Sequence, residues 1–192
     1  MCRKGNTKRK IEPKSEKRYN SAFFWEERNK WFSDLWEDIR GVPQSLNNSD
    51  NQNLRSRSAA YPFELPYRLV NMFSVYEDVV LDPFWGTGTT SLAAMILARN
   101  SIGYEIDSDL FGLFKNSITN LSQLNKEINR NRLNQHIEFI NNYKNQVKDI
   151  KYKSTYYKFP VITKQEKEIL FYSVERFTED ENNFILDYEK FR

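Results

Sequence analysis

The stretch VVLDPFWGTGTTSLAAMILARNSIGYEID, residues 79–107, constrains the fold more than any other part of the chain. It joins a short β-branched apolar run, a turn with two glycines, an Ala-rich helical segment and a second apolar run. Strand, glycine loop, helix and strand make a βαβ unit, which predicts a parallel sheet and an α/β fold. VVLD is apolar at three successive positions, the pattern of a strand buried on both faces. Gly86 and Gly88 lie where the chain leaves the strand and enters the helix. There the backbone can turn tightly, and a ligand can approach without meeting a Cβ. The helix start, with Thr89 or Thr90 available as a cap, offers N–H groups and partial positive charge to a phosphate or carboxylate.

Glu105 ends the second strand, 19 positions after Gly86. That is about the offset at which an acidic residue accepts hydrogen bonds from ribose hydroxyls, so a nucleoside with an anionic arm fits. Three ligands compete for the loop. A nucleoside-triphosphate loop needs Lys-Ser or Lys-Thr at its close, where Thr89-Thr90 stands. NAD prefers a third small residue, which Ser91 could supply, but nothing downstream suggests hydride transfer. S-adenosyl-L-methionine explains one residue more, because Asp82 at the strand end can face its ammonium group while the helix start faces its carboxylate. A turn that binds nothing is the remaining alternative.

Composition narrows the setting. A chain of 192 residues, 39% hydrophobic and 29% charged, has the length of one polar globular domain. Cys2 is the single cysteine and His136 the single histidine, so no metal cluster and no metal catalysis are expected. No apolar stretch has the length of a membrane span or the form of an export signal, which makes the cytoplasm the expected compartment. The net charge of +3 is concentrated at one end: residues 1–18 hold eight Lys/Arg against two Glu, and the rest hold 21 Lys/Arg against 24 Asp/Glu. Residues 1–20 therefore read as a basic disordered tail, with phosphate contacts as its possible use.

In SAFFWEERNKWFSDLWEDI (21–39), Phe24, Trp25, Trp31, Phe32, Leu35, Trp36 and Ile39 recur at helical intervals. This predicts an amphipathic helix whose aromatic face packs on its own domain, stacks on nucleic-acid bases or docks a second chain. Residues 41–60 are rich in Asn, Ser and Gln and read as a surface loop, with Arg55 and Arg57 near its end as candidate DNA contacts. A short helix with a proline near its start is expected over FELPYRLVNMFS, helices from Ser108 to about Lys148, another over TKQEKEILFYSVERF (163–177) and a strand in NNFILDY (182–188).

The strings RSAAYPFELPYRLVNMFS (57–74) and DVVLDPFWGTGTTSLAAMILARNSIGYEID (78–107) closely resemble the amino-methylating DNA methyltransferases, restriction–modification enzymes that methylate cytosine N4 or adenine N6. The likeness covers roughly residues 20–190. It implies a Rossmann-like methyltransferase core, S-adenosyl-L-methionine as cofactor and double-stranded DNA as substrate, with cytosine N4 favoured on general likeness. It further implies that Asp82, Phe84, Gly86, Gly88 and Thr89 line the cofactor pocket, that Glu105 holds the ribose, and that Tyr61, Phe63 and Pro66 cross the methionine end. In this arrangement residues 21–56 are the remnant of a target-recognition region with its loop, and 57–192 a cofactor-binding half-domain with a helical C-terminal extension.

The family transfers the methyl group at a Pro-Pro-aromatic motif, whose polar groups accept from the target amine while the aromatic stacks on the flipped base. Here Pro13, Pro43, Pro62, Pro66, Pro83 and Pro160 are all isolated, so the motif is missing and no catalytic residue is assigned. Cys2 lacks the preceding proline of a cysteine-nucleophile enzyme. With only two strands read clearly, the sheet is expected to be incomplete. The leading expectation is a split or truncated methyltransferase whose catalytic motif lies on a second polypeptide. A non-catalytic remnant or DNA-binding accessory protein is the alternative, and a nicotinamide-dependent oxidoreductase a more distant one.

Overall fold

The computed structural model describes residues 11–39, 61–145, 149–181 and 183–192; Arg55, Arg57 and the first ten residues of the basic tail lie outside them. The expected βαβ unit is present. Strand β1 (Val79–Asp82) pairs in parallel with β2 (Asn100–Gly103), in the register Val79 to Asn100 and Asp82 to Gly103. Ahead of β1 runs helix α3 (Glu64–Phe73), and helix α4 (Thr89–Ile96) is the crossover. Ala93 and Ala94 of α4 are fully buried, since small side chains let the helix sit close on the sheet. Pro66 falls in the first turn of α3, where a missing N–H leaves no bond unmade. Val79 and Leu81 are about 60% exposed, against the expectation of a strand covered on both faces, because among the described residues one face of the β1–β2 pair carries no layer.

Helices α5 (Ser108–Ser117) and α6 (Leu121–Lys144) follow, with the Asp107 side chain accepting from the Asp109 N–H (3.1 Å) as the cap of α5. Much of the buried stripe of α6 is polar: Asn125, Asn129, Arg132 and His136 point inward. These groups satisfy backbone atoms that packing would otherwise strand. The Asn125 side chain donates to the Ile96 carbonyl (2.8 Å) and accepts from the Val174 N–H (3.2 Å), and Asn129 donates to the Tyr172 carbonyl (2.9 Å). The α6 stripe thereby joins the end of α4 to the C-terminal hairpin.

That hairpin corrects the helix expected over 163–177. Gln165–Glu168 form a single 3-10 turn, and Tyr172–Asp180 is strand β5, antiparallel to β6 (Asn183–Lys190). Ile169, Leu170 and Phe171 are all buried, and a run with no polar side suits extended chain better than an amphipathic helix. A short antiparallel pair, β3 (Tyr152–Lys153) with β4 (Pro160–Val161), precedes it.

The aromatic segment is also corrected. Its helix is short, α2 (Trp25–Trp31), and the chain turns at Ser33, whose hydroxyl accepts from the Leu35 N–H (3.4 Å). Helix α1 (Glu16–Asn20) precedes it and corrects the end of the stretch read as a disordered tail, where Asn20 is buried against the domain. Of the three uses foreseen for the aromatic face, packing on its own domain is observed. Phe24 is fully buried and stacks on His136 (ring centroids 3.9 Å apart), and Trp25 lies beside Phe139 and Tyr143. Buried Glu166 fixes the segment by accepting from the N–H of Trp25 (2.6 Å) and of Thr163. Arg132 is held by both carboxylate oxygens of Glu27 and lies over the rings of Trp31 and Phe171. Glu27→Ala leaves that guanidinium buried and unpaired. It is expected to lower unfolding free energy by about 3–5 kcal/mol, read from urea denaturation.

Candidate functional site

Three backbone bonds close the glycine loop at the carboxyl ends of β1 and β2. Tyr104 N–H donates to the Asp82 carbonyl (3.0 Å), Trp85 N–H to the Tyr104 carbonyl (3.0 Å) and Gly88 N–H to the Trp85 carbonyl (2.9 Å). The Phe84 N–H donates to Asp82 Oδ1 (3.1 Å), which orients that carboxylate at the strand end. Tyr61 reaches the same group: its hydroxyl lies 3.3 Å from Asp82 Oδ2 and bonds Thr90 Oγ1. So the segment ahead of α3, the end of β1 and the start of α4 converge, which brings Tyr61, Asp82 and the helix start together.

The two glycines serve different ends. Both have left-handed backbone angles, φ 56° at Gly86 and 76° at Gly88. A Cβ on Gly88 would sit 2.4 Å from Phe114 Cδ2 and 2.8 Å from Trp85 Cζ2, whereas one on Gly86 would meet nothing closer than 4.0 Å. Gly88 therefore makes room for the protein's own rings, and Gly86 keeps an open side. Trp85, absent from the sequence-predicted set, explains the crowding. Its indole covers Gly103, where a Cβ would fall 2.1 Å from Cδ1, and its Nε1 donates to Ser91 Oγ (2.7 Å).

Glu105 is fixed by the loop. Oε2 accepts from the Gly86 N–H (2.7 Å), and Oε1 from the N–H groups of Ile106 (2.8 Å) and Asp107 (2.9 Å). These N–H groups, that of Asp107 foremost, hold its carboxyl below the usual carboxylate range although it is exposed. Oε2 takes a single bond and so retains accepting capacity on the exposed side.

The N-cap of helix α4 is Gly88 and not one of the threonines: no side chain caps the helix, and the hydroxyls of Thr87 and Thr89 lie 3.2 Å apart. Phe84 is 88% exposed beside the loop, and Ile106, adjacent to Glu105, is fully exposed. The sequence signal for Ile106 is an apolar residue directly after a strand-ending acid. Phe63 and Pro66 sit differently: Pro66 is buried in α3, and Phe63 packs on Tyr67 (centroids 5.5 Å) at the core. A cavity of about 850 Å³ opens between β2 and β6, and it shares Trp85 and Glu105 with the loop but not Asp82, Gly86 or Tyr61. The convergence of strand ends and helix start, not this cavity, defines the candidate site. Among the described residues, no group of His, Cys, Asp and Glu could hold a metal ion.

Because its folded pKa is lowered, Glu105 contributes stability that is present above the ordinary 4.5 and lost as pH falls through the lowered value. The Gly86 amide resonance is expected to titrate with a midpoint below 4.5 in NMR spectra, and a midpoint at 4.5 would show the carboxylate to be free. Gly88→Ala is expected to cost about 1–3 kcal/mol in thermal or urea unfolding from overpacking alone, beyond the φ strain it shares with Gly86→Ala.

The family model for DNA methylases that modify N6 or N4 matches residues 3–116, more than half of the chain. The type II methyltransferase M.MthZI of Methanothermobacter thermautotrophicus is 50% identical over 174 residues, 91% of this chain and 47% of that protein. M.MjaI of Methanocaldococcus jannaschii is 48% identical over 118 residues, 62% of this chain and 37% of its own length. A Thermus thermophilus protein described as a DNA modification methylase, solved with S-adenosyl-L-methionine, is 35% identical at a TM-score of 0.46, over 58% of this chain and 39% of that one. The chain thus spans about half the length, or less, of the curated relatives it matches. By its match over residues 3–116, it belongs to the N6/N4 DNA methylase family.

Proposed function

We propose that this chain is the cofactor-binding part of a site-specific DNA amino-methyltransferase of a restriction–modification system, acting in the cytoplasm on cytosine N4 in preference to adenine N6. The observation that carries the reading is the convergence of Asp82, Glu105 and an uncapped helix start at the ends of two parallel strands, the position where open α/β sheets bind ligands. The residues fit S-adenosyl-L-methionine, whose sulfonium-bound methyl group is the chemistry it supplies when bound. The N–H groups at the start of α4 would hold its carboxylate and Asp82 its ammonium group. The free side of Glu105 Oε2 would accept from the ribose, with Phe84, Gly86, Gly88 and Thr89 around it. Tyr61 orients Asp82 through its hydroxyl, while Phe63 and Pro66 support the segment from the core. Arg55 and Arg57 would contact DNA phosphates.

The catalytic motif is proposed to lie on a second polypeptide. In support, the six prolines of this chain are isolated, and the match to M.MthZI leaves more than half of that relative uncovered. The absent motif also suits a second reading, an inactive DNA-binding accessory protein or remnant. Calorimetry with S-adenosyl-L-methionine separates the two. The proposal expects micromolar binding that weakens by about tenfold or more in Glu105→Ala, the loss of one hydrogen bond to a charged group. Gly86→Val should abolish it by closing the open side of the loop. No binding to the native chain favours the accessory reading. Transfer of a labelled methyl group to DNA is expected from this chain only with its partner polypeptide, and activity from the chain alone would refute the split.

A further inference from the structure

Among the described residues, the β1–β2 pair is covered on one face only. Helix α4 packs on the side of Val80 and Ser101, while Val79, Leu81, Ile102 and Tyr104 present an apolar row that is 49–64% exposed. Parallel sheets are found with both faces covered, and a contiguous apolar patch of this kind marks an interface. β1 also has an open edge. Asn100 N–H donates to the Asp78 carbonyl and Tyr104 N–H to the Asp82 carbonyl, so the even-numbered residues of β1 face β2. The period of two then turns the N–H and C=O groups of Val79 and Leu81 to the other edge, where no described strand pairs.

We infer that this face and edge are the docking surface for the remainder of a methyltransferase fold, which adds a strand beside β1 and a helical layer over Val79, Leu81, Ile102 and Tyr104. The inference rests on the proposed function and deepens it by naming where the second polypeptide binds. Three arguments select this occupant. The match to M.MthZI leaves more than half of that relative to supply it. A ligand site at strand ends belongs at a switch point, with strands on both sides of the strand that carries it, and among the described residues β1 has its neighbour on one side only. A strand added in parallel beside β1 would end next to Asp82, bringing its catalytic groups to the candidate site. A second copy of this chain would not do this: joined by a two-fold axis, two β1 edges pair antiparallel, and each carboxyl end meets the other's amino end. The chain's own aromatic segment is committed to α6 and the C-terminal turn, and its hairpin to α4 and α6.

The test coexpresses this full chain, tagged, with the part of M.MthZI that lies outside its match to this chain. The proposal expects an equimolar complex by light scattering, with the Val79 and Leu81 amides slowed in hydrogen exchange relative to the chain alone. It expects loss of that complex in Leu81→Glu and in Ile102→Lys; both sites are exposed, so circular dichroism should be unchanged. Lack of a complex, a complex that survives both substitutions, or unchanged exchange at Val79 and Leu81 would overturn it. So would self-association of this chain that either substitution abolishes. Calorimetry with S-adenosyl-L-methionine on the same variants keeps the two ideas apart. Cofactor binding without a complex sinks the docking surface alone, and a complex without cofactor binding sinks the proposed function alone.

Discussion

The indole of Trp85 ties the candidate site to the rest of the molecule. Its backbone N–H carries the strand ladder past Asp82 to Tyr104, its ring lies on Gly103 of β2, and its Nε1 holds Ser91 near the start of α4. Edge-on contact with Phe114 (centroids 4.7 Å) adds α5 to the same joint. One side chain therefore fixes the relative placement of both strands and both helices around the loop, and it can do so only because Gly103 and Gly88 have no Cβ. The open side of the loop is left to Gly86, whose N–H is bonded to Glu105. An acid prealigned by three backbone N–H groups has little ordering entropy left to lose when a ligand arrives.

Local rules explain how much of this was legible in the sequence. The βαβ unit, the positions of Asp82 and Glu105 and the two helices after Ser108 follow from periodicity and glycine placement over short spans. Trp85 was not legible, because a tryptophan between the phenylalanine and the glycine of such a loop reads equally well as a ligand contact, and its partner Gly103 lies on the next strand. The assignment of both glycines to ligand approach had the same weakness, since only the position of Phe114 reveals what a Cβ on Gly88 would strike. The helix expected over 163–177 failed where a charged, helix-favouring segment runs into Ile169-Leu170-Phe171. There, pairing with the strand that follows in the chain outweighed local propensity.

The polar stripe of α6 is a second case where tertiary context decides. Asn125, Asn129, Arg132 and His136 look in the sequence like the solvent face of a helix, and apolar Ile137 is 40% exposed instead. Each buried group answers a specific backbone or charged partner. Nε2 of His136 lies 3.0 Å from the Pro160 carbonyl, which can only accept, so that nitrogen carries the proton and Nδ1 faces Glu26 Oε1 (2.7 Å). Burial raises the Glu26 carboxyl pKa, against the opposing pull of the bond to His136. Such a network is costly to leave half-made, and it specifies one register of α2 against α6.

These two features together account for a bare sheet face on a folded chain. The core that holds β1 and β2 is built wholly on their other side, by α3, α4 and α5 with the hairpin behind them, and a second apolar cluster joins the aromatic segment to the C-terminal turns. Neither cluster draws on Val79, Leu81, Ile102 or Tyr104. Removing water from that row would therefore add stability at the site end of the sheet without repacking anything already buried. The part of the fold proposed to hold the methyl donor is thus preset, and the surface left open by the described residues is the one from which the proposed neighbouring strand would reach it.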